Sequence, residues 1–519
     1  MIRHVAILSL LVASRPLSAQ TFAAEDPVLR RIWSLGMDSS QAGRLMQVLT
    51  DSIGPRLTAT PGMVAGQDWL VATYTTWGVN VRKERYGTWI GWRRGLTHVD
   101  LLAPRVRALE GMLLAWSGGT RGRPVEAATI TLPELADSAG FNAWLPSVKG
   151  RFVLLSHAEP TCRPDSAFRQ FALPDTWARL REQRARERAA WNQRLARTGQ
   201  SARDLPRRVE AAGAAGILTS RWSEGWGVNK IFNGRTTNIP TLDLSCEDYG
   251  LVYRLTENGQ SPRLRITADA EFQGDVPVFN VIAEIRGREK PDEYVMLSAH
   301  FDSWDGSSGA TDNGTGSITM LEAMRILARA YPSPKRTILV GHWSGEEQGL
   351  IGSRAFAEDH PEIVSGLQAL FNQDNGTGRI VNVSAAGLLD AGPFLARWFA
   401  RVPSEISRHA NFSFPGTPSG GGSDNASFAC YGAPAFGLGS LGWEYGTYTW
   451  HTNRDTYDKV VLDELKNNAT LVAMLVYQAS EEPERIPRAQ RILPRTPQGQ
   501  EGRWPTCSKP ARSFGEWTR

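Results

Sequence analysis

The sequence has no run of about twenty apolar residues after its first segment, so it contains no predicted membrane-spanning helix. The apolar stretch from Val5 to Ala13 is too short to cross a bilayer, and small residues follow it at Ser18 and Ala19. A charged start, a short apolar segment and small residues are typical of a secretory signal peptide, here predicted over residues 1–19. A retained anchor is the alternative. We expect a secreted or periplasmic protein without stable membrane insertion after signal removal.

A strong excess of charge of one sign is also lacking. The formal net charge is only +5 over 519 residues, and the basic residues are mostly scattered arginines. We therefore expect no nucleic-acid partner. Apolar and charged fractions of 41% and 21% are ordinary for a folded globular protein. The length predicts two domains, or one domain with a large insertion, and leaves the oligomeric state open.

Cysteine is scarce, with four residues in the whole chain. An exported protein matures in an oxidising compartment, where Cys162, Cys246, Cys430 and Cys507 can pair. Sequence spacing does not define the pairs. Cys162 with Cys246 is the first expectation, because both fall in the same inserted segment.

The texture of the sequence changes over residues 106–274. Short β-like runs such as RFVLLSHAE and GILTSRWS alternate there with turns rich in glycine and proline, which predicts a small domain with its own sheet. Between them, residues 176–199 are rich in arginine and glutamate and favour a helix. A solvated helix is the simpler interpretation of this segment. An arm that caps the substrate or binds a partner is the alternative.

The flanking segments, residues 20–105 and 275–487, have the pattern of one α/β domain. Buried-strand runs such as FNVIAEIRG and TILVGHWS alternate with helical stretches that place Met320, Met324 and Leu327 on one face. This alternation predicts a central, mostly parallel mixed sheet covered by helices, interrupted by the β-rich insertion. The tail over residues 488–519, rich in proline and arginine, is predicted to be irregular.

Polar side chains follow the predicted strands of the second α/β segment. His300 and Asp302 follow one strand, and Asp312 begins a helix after a Gly/Ser loop. Glu346 and Glu347 follow the next strand. Each has a simple structural explanation when taken alone, such as a turn, a helix cap or a solvated pair. Their joint position is informative, since ligands bind at the carboxyl ends of parallel strands.

Two further residues extend the pattern: Asp374 follows the run ALFN, and His451 occurs in YTWHTNRDTYD. Histidine and carboxylate are the ligands that zinc and similar divalent ions take. Two metals about 3.5–4 Å apart also need a carboxylate that can bridge them. The sequence therefore predicts a metal centre formed by strand ends and adjoining loops.

At this point the chain resembles the co-catalytic zinc exopeptidases, which include secreted bacterial aminopeptidases and carboxypeptidase Q. The motifs that carry the resemblance occur in order: GPRLTATPG, HFDSWDGSSGATDNGTG, SGEEQGLIGSRAF, GGSDNASF and HTNRDTYD. The resemblance implies a zinc-exopeptidase fold, two divalent metal ions, most simply zinc, and hydrolysis at the ends of short peptides. The segments VKGRFVLLSHAE and RVEAAGAAGILTSR resemble a protease-associated domain.

The resemblance also assigns metal-binding roles to individual residues. It implies that His300 and Asp374 bind one metal, that Glu347 and His451 bind the other, and that Asp312 bridges the two.

The same resemblance implies the catalytic groups. Asp302 would accept a hydrogen bond from the imidazole of the first histidine ligand, as carboxylates around metal sites commonly do. Glu346 would take a proton from the metal-bridging water and return it to the leaving amine.

The substrate-binding groups are less defined. Several family aminopeptidases have a tyrosine before the last histidine ligand, where its hydroxyl helps hold the oxyanion, but this chain has Trp450. The Trp450 N–H, Tyr448 or Tyr445 could replace it. Ser423 and Asp424 lie in a Gly-rich segment that resembles the substrate-pocket loop, with a mobile turn as the alternative. His342 is interpreted as a core residue.

Three functional hypotheses follow. An aminopeptidase or dipeptidase is favoured over carboxypeptidase-type specificity. A glutaminyl cyclase-like enzyme would share the fold but use one metal. A binding relative without catalysis is disfavoured, because all five candidate ligands and Glu346 are retained.

Overall fold

The structure, a computed structural model, describes residues 25–495 and 499–518. The predicted signal peptide at residues 1–19 lies outside the described residues. Within those two ranges, no helix is both long enough and apolar enough to cross a membrane.

Fourteen strands in the described part of the chain form one mixed sheet. Their bounds are β1 (Asn80–Ala103), β2 (Arg107–Leu109), β3 (Gly111–Leu113), β4 (Val125–Thr131), β5 (Phe152–Leu154), β6 (Gly216–Thr219), β7 (Thr241–Leu244), β8 (Arg263–Ile285), β9 (Lys290–His300), β10 (Arg336–Trp343), β11 (Leu367–Asn372), β12 (Ile380–Ser384), β13 (Asn411–Ser413) and β14 (Ala435–Ser440). The order across the sheet is β13, β12, β14, β11, β9, β10, β8, β4, β5, β6, β7 and β3, with β1 paired to β8 and β2 to β1.

The α-helices of the same residue ranges cover this sheet. Their bounds are α1 (Pro27–Trp33), α2 (Ala42–Gln47), α3 (Pro61–Thr76), α4 (Ser138–Trp144), α5 (Asp165–Phe171), α6 (Pro174–Arg197), α7 (Asp204–Ala211), α8 (Cys246–Glu257), α9 (Thr315–Ala330), α10 (Ile351–Asp359), α11 (Pro361–Gly366), α12 (Ala391–Phe399), α13 (Ser404–Ser407), α14 (Ala426–Ala429), α15 (Leu462–Glu481) and α16 (Phe514–Trp517). Short π-helical turns include Ala310–Gly314 and Tyr445–Thr449.

The centre of the sheet is parallel and buried on both faces. Strand β9 pairs in parallel with β10 on one side and with β11 on the other. Along β9, Val295 and Leu297 pack in the core that contains α9 and α15, whereas Met296 packs in the core that contains α10. A strand covered on both faces needs a continuous apolar run, which is the pattern the sequence shows. The predicted α/β class is therefore confirmed.

The insertion is connected to the catalytic sheet through two long strands. β1 and β8 pair antiparallel along almost their whole length, and β8 then continues the sheet into β4, β5, β6 and β7. The sequence pattern predicted that the insertion has its own sheet. In the structure, the strands of the insertion instead continue the main sheet. The expected boundary near residue 274 falls inside β8.

The Arg/Glu-rich segment forms α6, and only a few of its side chains pack against the rest of the protein. Leu180 and Trp191 are buried, and most of the charged side chains on the helix are exposed. Trp191 packs in the insertion's own apolar core, beside Phe141 and Val209. This is the solvated helix that the simpler interpretation predicted.

Two disulfides close loops in the described part of the chain. Cys162 is bonded to Cys246, as predicted, and Cys430 is bonded to Cys507. The second bond ties the C-terminal tail to the segment after α14. The tail is largely irregular where it is described, and it ends in the short helix α16.

Candidate metal centre

The candidate ligands meet at the carboxyl edge of the central strands. His300 is the last residue of β9, Glu347 lies in the loop after β10, and Asp374 comes two residues after β11. Asp312 lies in the π-helical turn that leads into α9, and His451 follows the turn Tyr445–Thr449. Because β9, β10 and β11 are adjacent and parallel, their ends bring these side chains together.

The first ligand group surrounds His300. Its Nε2 atom lies 3.0 Å from Asp374 Oδ1 and 3.5 Å from Asp312 Oδ1. The histidine is fully buried, and both carboxylates are largely buried. One nitrogen and two carboxylate oxygens therefore point at a common centre, as ligands of a divalent ion do.

The second ligand group surrounds His451. Its Nε2 atom lies 2.9 Å from Glu347 Oε2 and 3.4 Å from Asp312 Oδ2. The two oxygens of Asp312 thus face different histidines. A carboxylate shared in this way has the geometry that bridging two metal ions requires.

The electrostatics of the two groups fit bound cations. Asp312 Oδ2 and Glu347 Oε1 are buried without a hydrogen-bond partner among the described residues. Buried carboxylate oxygens without donors are costly unless a cation neutralises them. Burial lowers the pKa of His451 to about 4, so its imidazole is neutral and able to act as a ligand.

The nearby carboxylates also shift the pKa values of His300 and Glu346. Burial opposes charge on His300, but the carboxylates of Asp374 and Glu346 outweigh it and raise the pKa of the imidazole well above its usual value. Burial, aided by Asp374, raises the pKa of Glu346 well above its usual range. A strongly perturbed carboxyl group in a cleft is typical of functional sites. Glu346 lies 4.0 Å from His300 Nε2, beside the ligands.

Asp302 orients the loop that carries both glutamates. Its carboxylate accepts the backbone N–H groups of Glu346 at 3.2 Å and Glu347 at 3.3 Å. His300 Nδ1 is closest to the backbone carbonyl of Asp302, at 3.0 Å, and lies 3.6 Å from its carboxylate. Asp302 therefore contacts His300 with its backbone as well as its side chain, which differs from the purely side-chain contact implied by the resemblance.

Asp455 is a supporting residue that the sequence analysis missed. Its carboxylate accepts hydrogen bonds from the backbone N–H and the hydroxyl of Thr311, both at 2.8 Å, and from the N–H of Asp312 at 2.9 Å. Burial raises the pKa of Asp455 to about 7. Its position four residues after His451 indicated that it lies near the site, but the sequence did not indicate that it binds the backbone of Thr311 and Asp312.

Arg56 in the motif GPRLTATPG was also missed. Its fully buried guanidinium donates to four backbone carbonyls, at 2.7–3.0 Å. These belong to Gly54, Phe301, Ser308 and Gly309. Arg56 thus fixes the loop between His300 and Asp312, and its charge offsets the nearby carboxylates.

A cavity of about 400 Å³ opens onto the ligands. Tyr445 and Trp450 line it, whereas Ser423, Asp424 and Tyr448 do not. The following residues form the lining: Asp312, Glu346, Glu347, Gly349, Leu350, Arg354, Asp374, Gly421, Gly422, Tyr445, Trp450 and His451.

The aromatic residues of this cavity have different contacts. The Trp450 ring stacks on the His451 ring with centroids 4.0 Å apart. Burial, with the carboxylates of Asp312 and Asp374, raises the pKa of Tyr445 well above its usual value, so its hydroxyl remains a donor. Tyr448 packs against Gly225 of the insertion.

The remaining substrate candidates, Ser423 and Asp424, do not line this cavity. Ser423 accepts a hydrogen bond from Asn372 at 2.8 Å and lines a neighbouring cleft together with Asp374. Asp424 is fully buried, and burial raises its pKa to about 7. His342 is buried and bonded to Tyr74 at 2.8 Å, consistent with the predicted core position.

The insertion holds the loop that carries His451. The Lys230 ammonium donates to the Trp450 carbonyl and lies 4.6 Å from the centre of the Trp450 ring. The next residue, Ile231, donates its N–H to the His451 carbonyl at 2.8 Å. The insertion therefore helps position a candidate metal ligand.

Comparison with known proteins agrees with this site. The family model described as "Peptidase family M28" matches residues 280–476, a segment that contains all five candidate ligands. Residues 280–476 are thus similar to peptidase family M28. The match agrees with the family that the sequence motifs imply.

Individual relatives extend the match beyond this segment. The chain is 25% identical to rat (Rattus norvegicus) carboxypeptidase Q over 443 residues, covering 85% of this chain and 86% of the relative. With mouse (Mus musculus) carboxypeptidase Q it is 28% identical over 270 residues, which is 52% of this chain and 56% of the relative. That second match spans only about half of the mouse protein.

Solved structures share the fold. The M28 peptidase precursor of Shewanella amazonensis superposes with a TM-score of 0.65 at 24% identity, covering 90% of this chain and 98% of its own. A zinc aminopeptidase of Bacillus subtilis superposes with a TM-score of 0.55 at 19% identity, covering 86% and 96%. The family match and the relatives also support the predicted enzyme class, a peptidase.

Proposed function

We propose that this chain is an exported aminopeptidase or dipeptidase that removes terminal residues from short peptides with two bound zinc ions. The observation that carries the proposal is the division of the Asp312 carboxylate between two histidine-carboxylate groups. A site with a single metal has no need for a shared carboxylate. This arrangement therefore favours a peptidase over the glutaminyl cyclase-like alternative.

The residues around the ligands supply the proton transfers. When bound, two zinc ions supply Lewis-acid polarisation of the scissile carbonyl and a lowered pKa for the attacking water. Glu346 is adjacent to the ligand Glu347 and lines the cavity, so it can accept the proton of that water and then donate it to the leaving amine. Asp302 holds the backbone of Glu346 for this role.

Tyr445 is the proposed hydrogen-bond donor to the oxyanion. Its hydroxyl stays protonated and lies in the cavity beside Asp312, whereas Tyr448 packs elsewhere. Trp450 contributes a wall that stacks on His451. Removal of one oxyanion donor typically lowers kcat by about 10²–10³-fold.

Export is proposed from the N-terminal pattern and from the two disulfides. Disulfides persist in oxidising compartments, so Cys162–Cys246 and Cys430–Cys507 agree with a secreted or periplasmic location. N-terminal sequencing of the protein recovered from the periplasmic and culture fractions tests this location and the cleavage near residue 19.

The catalytic proposal is tested with Glu346→Gln. The substitution keeps the size of the side chain but removes its ability to take a proton, so hydrolysis of dipeptides and aminoacyl reporters should fall by about 10²–10⁴-fold. Zinc content should remain that of the wild type. Unchanged hydrolysis in the variant, or a wild type that cyclises N-terminal glutamine but hydrolyses no peptide, contradicts the proposal.

A further inference from the structure

Arg354 is a cationic side chain in a cavity otherwise lined by acidic ligands. It lies in the first turn of α10, a few residues after the Glu346–Glu347 loop, and its backbone N–H donates to Leu350 at 3.0 Å. Among the described residues that line the cavity, it is the one arginine, and no lysine is present. The cavity therefore has a single side chain with a permanent positive charge.

The guanidinium of Arg354 has no close partner. Within the described ranges it makes no hydrogen bond and no ion pair, and the carboxylates of Asp424 and Glu346 act on it only through space. Arg325 of the same domain, by contrast, forms three hydrogen bonds with Glu322 and Leu35. An unpaired guanidinium beside a cavity can form two parallel bonds to a carboxylate.

The position of Arg354 relative to Glu346 indicates which part of a substrate it meets. Glu346 must come within hydrogen-bond reach of the leaving nitrogen in order to protonate it. In a free dipeptide, the terminal carboxylate carbon lies two covalent bonds from that nitrogen, about 2.5 Å away. The carboxylate therefore enters the region that Glu346 and Arg354 share.

Two carboxylates near Arg354 are not candidate metal ligands. A substrate carboxylate that enters this region meets Glu346, and the buried Asp424 also acts on Arg354. Like charges at such distances repel, which disfavours binding unless a cation is present. Arg354 supplies that cation on the side of the proton donor.

We propose that Arg354 binds the free C-terminal carboxylate of the residue that is released, so that unblocked dipeptides are the preferred substrates. This inference rests on the peptidase function proposed above. In a longer peptide the residue after the cleaved bond continues into an uncharged amide, and the contact with Arg354 is lost. Arg354 is thus a specificity-determining residue that restricts the enzyme to the shortest peptides.

The test compares kcat/KM for a panel of dipeptides, each as the free acid and as the C-terminal amide. The zinc-loaded wild type should prefer the acids by about 10–100-fold, the range of one charge-assisted contact. Arg354→Gln should lose this preference by slower hydrolysis of the acids, with the amides changed by less than about threefold. Arg354→Lys should recover part of it. Arg329→Gln, at an exposed position near the end of α9, serves as the matched control.

The outcomes separate the inference from the function on which it rests. An equal preference in the wild type and in Arg354→Gln overturns the role of Arg354 while hydrolysis itself continues. An equal loss for acids and amides, with zinc content retained, assigns Arg354 to general positioning and also overturns it. A zinc-loaded wild type that cleaves neither acids, amides nor aminoacyl reporters contradicts the proposed peptidase function.

Discussion

Asp455 accepts the backbone N–H of Asp312 at 2.9 Å, although the two residues are 143 positions apart in the chain. This bond joins the loop of the shared carboxylate to the segment that carries His451. This buried contact therefore links the two candidate metal groups.

Asp455→Asn should weaken zinc binding. The amide retains one acceptor oxygen, so its NH2 group must face either Thr311 or the Asp312 N–H, and one of these donors loses its partner. Loss of a group that supports a ligand typically costs about 10–100-fold in metal affinity. Competition with a zinc chelator measures the effect. Asp458→Asn, a nearby exposed carboxylate, is the control, and equal affinities in the two variants would show that Asp455 is dispensable.

His342→Gln should make the stability less sensitive to acid. Burial lowers the pKa of His342 to about 3, whereas an unfolded histidine titrates near 6.5. The unfolded chain therefore binds a proton that the folded chain excludes. The contribution of the neutral His342 to the free energy of unfolding is fully present above about pH 6.5. It decreases by about 1.4 kcal/mol per pH unit as the pH falls to about pH 3.

Urea unfolding at pH 7 and pH 5 measures this dependence. Between these values the wild type should lose about 2 kcal/mol more than His342→Gln. His98→Gln, which removes an exposed imidazole from β1, is the control and should follow the wild type. A pH dependence in His342→Gln identical to that of the wild type would mean that His342 titrates normally in the folded state.

The proximity of His300, Glu347 and Asp374 could be predicted from the sequence because each lies at the end of its own strand or shortly after it. Short motifs around His300, Glu346 and Asp374 coincide with the carboxyl ends of adjacent parallel strands. Adjacent parallel strands end at the same edge of the sheet, so residues from three separate motifs lie close together. The role of each residue toward a particular metal came from the family resemblance.

The supporting contacts could not be predicted, because they join segments far apart in the sequence. Lys230 lies 220 residues from the Trp450 carbonyl that it binds, and Arg56 lies 245 residues from the carbonyl of Phe301. No periodicity or motif specifies such partners. They follow from the packing of the insertion and of the first loop against the completed sheet.

The boundary of the insertion was misplaced for a local reason. Gly274 has a φ of +74° and lies opposite Gly91, where the register of β1 against β8 shifts by one residue. A glycine with positive φ at such a shift is typical of a β-bulge, which bends a strand without ending it. The predicted insertion ended at this glycine, although β8 continues through it.

The shared carboxylate of Asp312 is the central claim, and zinc content tests it most directly. Elemental analysis of the purified protein should give two zinc ions per chain for the wild type and about one for Asp374→Ala, which affects only the His300 group. Asp312→Ala should lose zinc from both groups and retain well below one. An Asp312→Ala protein that retains as much zinc as Asp374→Ala would contradict a bridging role.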